Sequence, residues 1–211
     1  MTKRPVTLAV AMAAVALLAS CSGSDETDLD TGAASDSLAT ITASAQDSGD
    51  PLLDRCPHDP SGESMARMVE AVGTDGFDDA MASEGGAIVL GEGVGCERGV
   101  PRTTVTLWAG NPHDDFDAYV EGQSGQSTDT VEVTVDRRGS SDHRGGELHH
   151  LCVERVADDD VQGHCEVNWF DEKLMVTIRL NSPSPVDIDV EAVEEAFAAE
   201  IDDIVASLAA G

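Results

Sequence analysis

Apolar residues recur at every second position in several stretches of the chain, and this period predicts β-strands with one buried face. Residues 130–136 follow the period with three valines, and residues 103–108 follow it with Val105 and Leu107. The longest example carries its apolar side chains at Leu174, Val176, Ile178 and Leu180. Threonine, glutamate, aspartate and arginine occupy most of the intervening positions. We therefore expect the other face of the sheet to contact solvent.

Two further apolar stretches flank residues 157–160, three of which are aspartates, and predict a β-hairpin with a four-residue turn. If the valines at the ends of this turn, Val156 and Val161, face each other, the cysteines four residues beyond them also face each other. These cysteines are Cys152 and Cys165. Directly opposed residues of antiparallel strands lie ~4.5–5.5 Å apart, which is within reach of a disulfide.

Helical spacing of apolar residues predicts three helices, at residues 64–72, 114–121 and 190–208. The last has the longest apolar stripe, formed by Val190, Val193, Phe197, Ile201, Ile204 and Leu208. Residues 87–90 form a short strand-like run, and the polar residues 137–146 are predicted to form a loop. The order of these elements predicts an α+β fold, in which an antiparallel β-sheet has helices packed on one face.

The amino terminus has the pattern of an export signal. Two cations, Lys3 and Arg4, precede an uncharged apolar run at residues 6–18. The run is shorter than the ~20 apolar residues that span a bilayer, so residues 1–20 are interpreted as a signal peptide rather than a membrane helix. The run ends in Leu-Ala-Ser followed by Cys21.

These last four residues resemble the lipobox of bacterial lipoproteins, which is a leucine, two small residues and a cysteine. The resemblance implies cleavage before Cys21, a diacylglyceryl thioether on its sulfur, and acylation of the new amino terminus by a fatty acid such as palmitate. Two or more acyl chains hold a protein stably on a membrane, whereas one chain does not. The alternative is an ordinary signal peptide with a cysteine near its cleavage site.

Residues 21–49 are rich in Ser, Thr, Ala, Gly and Asp. Their only large apolar residues are Leu29, Leu38 and Ile41, too few to form a core. The sequence therefore predicts that the lipidated cysteine is followed by a flexible acidic linker. Residues 50–211 are then predicted to form a single extracytoplasmic domain, since this length can bury a substantial core.

The charge of the chain restricts its partners. The formal net charge is −29, and loss of two of the twelve cations with the signal segment leaves −31. Nucleic acid and anionic lipid surfaces would be repelled, so neither is an expected partner. The chain has only two tryptophans, whereas a surface that stacks bases or sugars would need more aromatic rings on one face.

Four cysteines follow the lipobox, and an even number in an exported chain predicts disulfides. The hairpin favours pairing Cys152 with Cys165, which leaves Cys56 to pair with Cys96. We therefore expect a disulfide-stabilised domain with two bridges. Metal binding by these thiols is the less favoured interpretation, because no two cysteines have the Cys-x-x-Cys spacing of zinc sites.

The remaining chemistry-bearing residues do not predict an active site. The predicted hairpin register separates the clustered histidines His143, His149, His150 and His164 too widely for any two of the last three to share a zinc ion. The acidic turn at residues 157–160 lacks the spaced ligands of a calcium loop, and the glycine-rich residues 91–95 lack the lysine of a nucleotide loop. We read residues 91–95 as a flexible turn that leads to Cys96. No nucleophile motif is present. The sequence therefore predicts no catalytic residues, no metal and no cofactor.

The mature chain as a whole resembles small cell-envelope lipoproteins of actinobacteria, through its lipobox, polar amino-terminal segment, paired cysteines and final helix. The resemblance implies a location and an architecture, and it transfers no functional residues. The prediction is a membrane-anchored, non-catalytic binding, scaffold or sensing module on the extracytoplasmic face, whose partner is an envelope protein or a small hydrophobic ligand. A carrier with a lipid cavity between sheet and helices is the alternative, and a metal-dependent hydrolase is the less favoured one.

Overall fold

The computed structural model describes residues 28–72, 86–99, 102–110, 116–128, 130–157, 160–182 and 190–211. The predicted signal peptide, Cys21 and the turn residues Asp158 and Asp159 lie outside these ranges. The elements in chain order are α1 (Thr31–Ser48), β1 (Leu52–Leu53), α2 (Gly62–Val72), β2 (Gly86–Leu90), β3 (Gly93–Gly99), β4 (Arg102–Ala109), α3 (Phe116–Ser124), β5 (Val131–His143), β6 (Gly146–Ala157), β7 (Asp160–Phe170), β8 (Leu174–Ser182) and α4 (Val190–Ala209).

The eight described strands form one antiparallel sheet with the order β1-β2-β3-β4-β8-β7-β6-β5. It consists of two four-stranded meanders, β1–β4 and β5–β8, that join side by side where β4 pairs with β8. The predicted hairpin register is confirmed, since Val156 faces Val161 and Cys152 faces Cys165. The α+β class and the antiparallel sheet are confirmed as well.

One face of the sheet, which we call the helix face, is covered by α1, α2 and α4. Its strand residues include Val105, Val167 and Ile178, which pack with Leu38 of α1 and Phe197 of α4 in the main core. The short helix α3 lies on the other face, which we call the α3 face. A smaller apolar cluster there joins Phe116 and Val120 of α3 to Val133, Leu151 and Val153.

The prediction of a flexible linker is wrong for residues 31–48, which form the 18-residue helix α1. Asp30 caps this helix by accepting a hydrogen bond from the backbone N–H of Ala33, and Gly49 ends it in a left-handed conformation with φ 73°. The buried residues are Thr31, Ala34, Leu38, Thr42 and Ala45. Small residues at helical spacing let the helix backbone approach the core closely, so two large apolar residues within the helix, Leu38 and Ile41, are enough to fix it in place.

The predicted loop at residues 137–146 is also wrong, because β5 continues to His143. The pairing of β5 with β6 shifts between Arg137 and Gly139, as in a β-bulge. The reversal is confined to Arg144 and Gly145, with φ values of 45° and 84°. An edge strand needs no apolar period along its whole length, so polar composition did not reveal the strand.

Two disulfides fix the two meanders, as predicted. Cys56, which follows β1, bonds Cys96 of β3 with a Cα–Cα distance of 5.7 Å. Cys152 and Cys165 join β6 to β7 with a Cα–Cα distance of 4.1 Å. Among the described residues, the helices are too short or too polar to cross a membrane.

Candidate functional site

The α3 face divides into two halves. Helix α3 lies over the half made by β5 to β8, which we call the covered half. The half made by β1 to β4 carries the large apolar side chains that are exposed in the described part of the chain, and we call it the open half. These side chains are Leu52, Ile88 and Leu90, with 66%, 40% and 41% of their surface accessible.

The strands of the open half form a shallow groove that runs along β3. Gly95 of β3 lies at its base, where it has no side chain and is buried beneath Leu90, whose Cδ1 would lie 3.0 Å from a Cβ added at that position. Ile88 and Leu90 of β2 form one wall, and Thr104 and Thr106 of β4 form the other. Together with Leu52 and Glu97, these residues enclose a volume of about 420 Å³ that is open to solvent.

The tryptophan ring of Trp108 lies at one end of this groove. It packs over Gly93, where an added Cβ would lie 2.6 Å from the ring. Gly93 is therefore required by the close approach of the ring. The carboxylate of Glu97, four residues along β3, lies at the other end and is exposed. The groove thus has an aromatic end and an acidic end.

The covered half contains a buried polar network centred on Glu166 of β7, which is completely inaccessible to solvent. Arg179 of β8 donates hydrogen bonds to Oε2 of Glu166 at 2.9 and 2.8 Å. The hydroxyl of Tyr119 of α3 donates a hydrogen bond to Oε1 at 2.5 Å, and the Asn168 amide donates one to the same oxygen at 3.2 Å. Thr177 in turn donates to Asn168 at 2.7 Å. The network therefore attaches α3 to the sheet.

Electrostatics hold this network in one protonation state. Burial by itself would raise the pKa of Glu166, but the imidazole of His164, the charge of Arg179 and the Tyr119 hydroxyl together lower it to about 2. Burial and then the charge of Glu166 raise the pKa of Tyr119. Burial would lower the pKa of Arg179, but the charge of Glu166 outweighs it and raises that pKa. At neutral pH the network is therefore a carboxylate, a guanidinium and a neutral phenol.

The sequence analysis predicted that the face of the sheet opposite the main core, which is the α3 face, contacts solvent. This prediction is wrong for the covered half. Thr177 and Met175, which alternate with the apolar residues of β8, are 6% and 2% accessible. The network borders the groove directly, because Arg179 is paired with Thr104 and Thr177 with Thr106 across the β4–β8 contact. The period of two placed these side chains on the α3 face. It did not show that helix α3 and the buried pair Glu166 and Arg179 would cover them.

A second buried carboxylate lies between α2 and α4. Glu200 of α4, which is 1% accessible, accepts hydrogen bonds from the hydroxyl of Ser64 and, at 2.8 Å, from the ring of His58. The carboxylate lies between the serine and the histidine, so the imidazole is not placed to take the proton from the serine, as it would be in a hydrolytic triad. The cluster connects the segment before α2 to α4. Nothing in the apolar periods of the sequence indicated it.

The histidines that suggested a metal site lie in different environments. His149 stacks on the ring of Phe116 at a centroid distance of 4.1 Å on the α3 face, whereas His150 points to the helix face. His143 binds Asp202 of α4 at 2.8 Å, and Nε2 of His164 lies 3.5 Å from Oε2 of Glu166. Possible ligand atoms do cluster at His150, Cys152 and Cys165. Both of those sulfurs belong to the disulfide and are therefore not available to bind a metal.

The glycine-rich residues 91–95 are placed partly as predicted. Gly91 and Glu92 form a turn, but β3 begins at Gly93. Gly93 and Gly95 therefore lie two apart on one strand and face the same side. Alternate glycines in a strand that neighbours apolar residues are the signal that could have predicted the groove.

Comparison with protein-family models and with curated protein sequences finds no match to this chain.

Proposed function

We propose that the chain is a lipid-anchored, non-catalytic module on the extracytoplasmic face of the cell membrane, and that it binds a partner through the open half. The observation that carries this proposal is the exposure of Leu52, Ile88 and Leu90 beside one another on an ordered sheet. Contiguous exposed apolar surface costs solubility, and on soluble domains it commonly marks a site of interaction.

The proposed anchor is Cys21. Helix α1 begins at Thr31, ten residues later, so a fully extended chain could place the start of the domain no more than ~35 Å from the lipidated sulfur. The folded domain would therefore operate close to the membrane. Partners reached in this way are other proteins of the envelope surface, because the charge of −31 disfavours anionic lipid itself.

The packing between sheet and helices gives the lipid-carrier alternative less support. Large side chains fill this layer in the described residues, among them the fully buried Leu38, Trp169, Phe197 and Ile201. A carrier needs an enclosed apolar cavity that surrounds most of its ligand. The groove of the open half is shallow and open to solvent, which suits a flat or extended partner better than an acyl chain.

The buried carboxylates give the hydrolase alternative less support as well. Glu166, with its pKa of about 2, is a weak base that Arg179, Tyr119 and Asn168 already engage. Glu200 is held between Ser64 and His58. A general base needs a pKa near the working pH and access to substrate. We therefore assign both carboxylates a structural role.

Replacement of the proposed anchor residue tests the location. We expect the Cys21→Ser chain to lose metabolic labelling by palmitate, and the wild-type chain to be digested by protease added outside intact spheroplasts. A Cys21→Ser chain that still carries labelled fatty acid would contradict the anchor.

Site-specific photo-crosslinking tests the binding surface. A photoreactive residue at position 52 of the full chain should give one discrete crosslinked species in cells, and a second substitution, Ile88→Glu, should remove it. The same residue at the exposed position 206 of α4 is the matched control and should give no such species. Crosslinking at position 52 that is absent, or that persists with Ile88→Glu, would contradict a partner on the open half.

A further inference from the structure

We infer that the disulfide between Cys56 and Cys96 is a thiol-exchange site, and that its reduction by a dithiol releases β1, with Leu52, from the open half. The exchange itself is independent of the proposed function. Its effect on the open half rests on that function, because Leu52 belongs to the proposed binding surface. The inference is carried by the exposure of Cys56, by the cavity beside it and by the short pairing of β1.

The two disulfides differ in their exposure. Cys152 and Cys165 lie on paired strands and are 2% and 0% accessible, so the folded chain shields both sulfurs from a reductant. Cys96 is also buried, with 4% of its surface accessible. Its partner Cys56, in contrast, is partly exposed and lies outside the strands, in the segment between β1 and α2. Because exposed disulfides exchange more readily with external thiols, Cys56 carries the sulfur that a thiolate can reach.

A cavity beside Cys56 gives a thiol access to this residue. The cavity has a volume of about 320 Å³ and is open to solvent. The segment that carries Cys56 forms one side of it. Residues of α1, among them Ile41, and of the last turns of α4, among them Ser207, form the rest. The cavity is therefore separate from the groove of the open half, and a dithiol can approach Cys56 while the open half is occupied.

The exchange proceeds in two steps. A thiolate of the dithiol attacks Sγ of Cys56 and forms a mixed disulfide, while the bond to Cys96 breaks and its electron pair goes to Cys96, which takes up a proton. The second thiol of the dithiol then attacks the first, and Cys56 leaves and takes up a proton in turn. The dithiol loses its two protons and is oxidised to a disulfide, and both cysteines are reduced to thiols.

Strand β1 depends on this bond for its place in the sheet. It contains only Leu52 and Leu53, lies at the edge of the sheet and, among the described strands, pairs with β2 alone. Leu53, Ala87 and Cys96 stand opposite one another in a row across β1, β2 and β3. The chain returns to this row through the disulfide at Cys56. Since two residues supply little pairing of their own, we expect reduction to release β1 while the other strands stay paired.

Selective reduction tests the exchange site. The full chain in phosphatidylcholine nanodiscs is treated with dithiothreitol at neutral pH, and samples are quenched with excess N-ethylmaleimide in denaturant for peptide mass spectrometry. We expect Cys56 and Cys96 to become labelled at least about tenfold faster than Cys152 and Cys165, because only the first bond has an accessible sulfur. Equal rates, or faster reduction of the hairpin bond, would overturn the inference.

Two adjacent substitutions on α4 test the cavity as the point of access. Ser207 and Ala206 are both exposed, but only Ser207 lines the cavity. Ser207→Trp should cover the cavity and slow reduction of Cys56–Cys96 about fivefold, whereas Ala206→Trp should leave the rate unchanged. Circular dichroism confirms that both variants are folded. If both were reduced at the same rate, the cavity would not be the point of access.

A thioredoxin that keeps only its attacking cysteine identifies the attacked sulfur and the kind of dithiol. It should be trapped as a mixed disulfide with Cys56, which would assign the site to protein dithiols. Reduction by dithiothreitol without such trapping would assign it to small dithiols. A mixed disulfide with Cys96 in the wild-type chain would overturn the direction of attack.

Hydrogen exchange tests the release of β1. On selective reduction we expect the peptide of residues 50–56 to exchange about tenfold faster, with no change in β6 and β7. Unchanged exchange in residues 50–56 would overturn the release.

The photoreactive residue at position 52 separates this inference from the proposed function. Treatment of envelopes with dithiothreitol should reduce its crosslinking to the partner by more than about half, because β1 no longer holds the residue on the open half. Equal crosslinking in oxidised and treated envelopes would overturn the effect on the open half. Absence of any crosslink in oxidised envelopes would contradict the proposed partner instead, and the exchange at Cys56 would still stand.

Discussion

Both halves of the α3 face are made of antiparallel strands, yet in the described part of the chain a helix covers only one of them. In the covered half, helix α3 packs on Leu151 and Val153, and Tyr119 reaches from the helix to the buried Glu166. In the open half, glycine replaces bulky residues on β3, and Ile88 and Leu90 face solvent. The buried charge pair under α3 fixes the position of that helix on the sheet. The exposed apolar side chains of the open half, in contrast, would lose contact with water if a partner bound over them.

Removal of the disulfides should have the largest effect on stability and should distinguish the halves. On the chain-entropy model, loss of Cys56–Cys96 costs about 4 kcal/mol and loss of Cys152–Cys165 about 3 kcal/mol, because the first closes a separation of 40 residues and the second one of 13. Urea denaturation of the two double-alanine variants measures both costs. A larger cost for the hairpin disulfide would show that the covered half depends more strongly on its crosslink than loop length predicts.

Replacement of Glu166 by alanine should have the next largest effect. It should lower the free energy of unfolding by about 3 kcal/mol, because it leaves Arg179 and Tyr119 without their shared partner. Glu97→Gln in the open half is the matched control. That carboxylate is exposed, so its replacement should change the free energy of unfolding by less than about 0.5 kcal/mol. Equal costs for the two substitutions would contradict the distinction between a structural and a surface carboxylate.

Replacement of either of two glycines by alanine should change the free energy of unfolding by a smaller amount, and the two replacements should differ. Gly146→Ala places its Cβ 2.5 Å from the ring of the fully buried Trp169 and should cost about 2 kcal/mol. Gly95→Ala approaches the end of the half-exposed Leu90 side chain at 3.0 Å and is in ordinary contact with Ile88 at 3.8 Å, so it should cost less than about 1 kcal/mol. Thermal unfolding of both variants measures the two costs, and equal costs would contradict the difference in packing at the two glycines.

Mild acid should have the smallest effect. Because the pKa of Glu166 is lowered to about 2 from an ordinary 4.5, its stabilisation is complete above about pH 4.5 and is lost as the pH falls towards 2. Between about pH 6 and pH 4, wild type should therefore lose about 1 kcal/mol relative to Glu166→Gln, which has no such carboxylate. Urea titrations of both proteins across this range provide the measurement. Parallel stability curves would show that Glu166 is not held ionised by the network.

The sequence predicted the elements whose apolar period is regular. The register that pairs Cys152 with Cys165 follows from a period of two and a short turn, and α4 follows from its long apolar stripe. Helix α1 was missed because most of its buried residues are alanine and threonine, which composition alone assigns to a linker. Their packing depends on the small side chains at the contact, which a search for large apolar residues does not detect.

The candidate site was missed for a different reason. Strand alternation placed Thr177 and Arg179 on the face opposite the main core, but it did not identify Glu166. Whether such a face is accessible to solvent depends on where α3 docks, and that is a long-range property. The glycines of the groove were interpreted as a turn, because Gly91, Gly93 and Gly95 are closely spaced and Val94 is the only apolar residue among residues 91–95. The groove forms because side chains of β2 and β4 stand on either side of these glycines. Those strands lie next to β3 only in the folded sheet.

Carbene footprinting of the open half is the most direct test of the central claim that this surface is covered by a partner in the cell. The labelling of Leu52, Ile88 and Leu90 is compared between intact envelopes and the purified full chain in nanodiscs, with the exposed Ala206 of α4 as the reference. We expect labelling of the three apolar residues to fall to less than about half in the envelope, while Ala206 is unchanged, since a bound partner excludes the reagent from the surface it buries. Equal labelling of the open half in both preparations would contradict the claim.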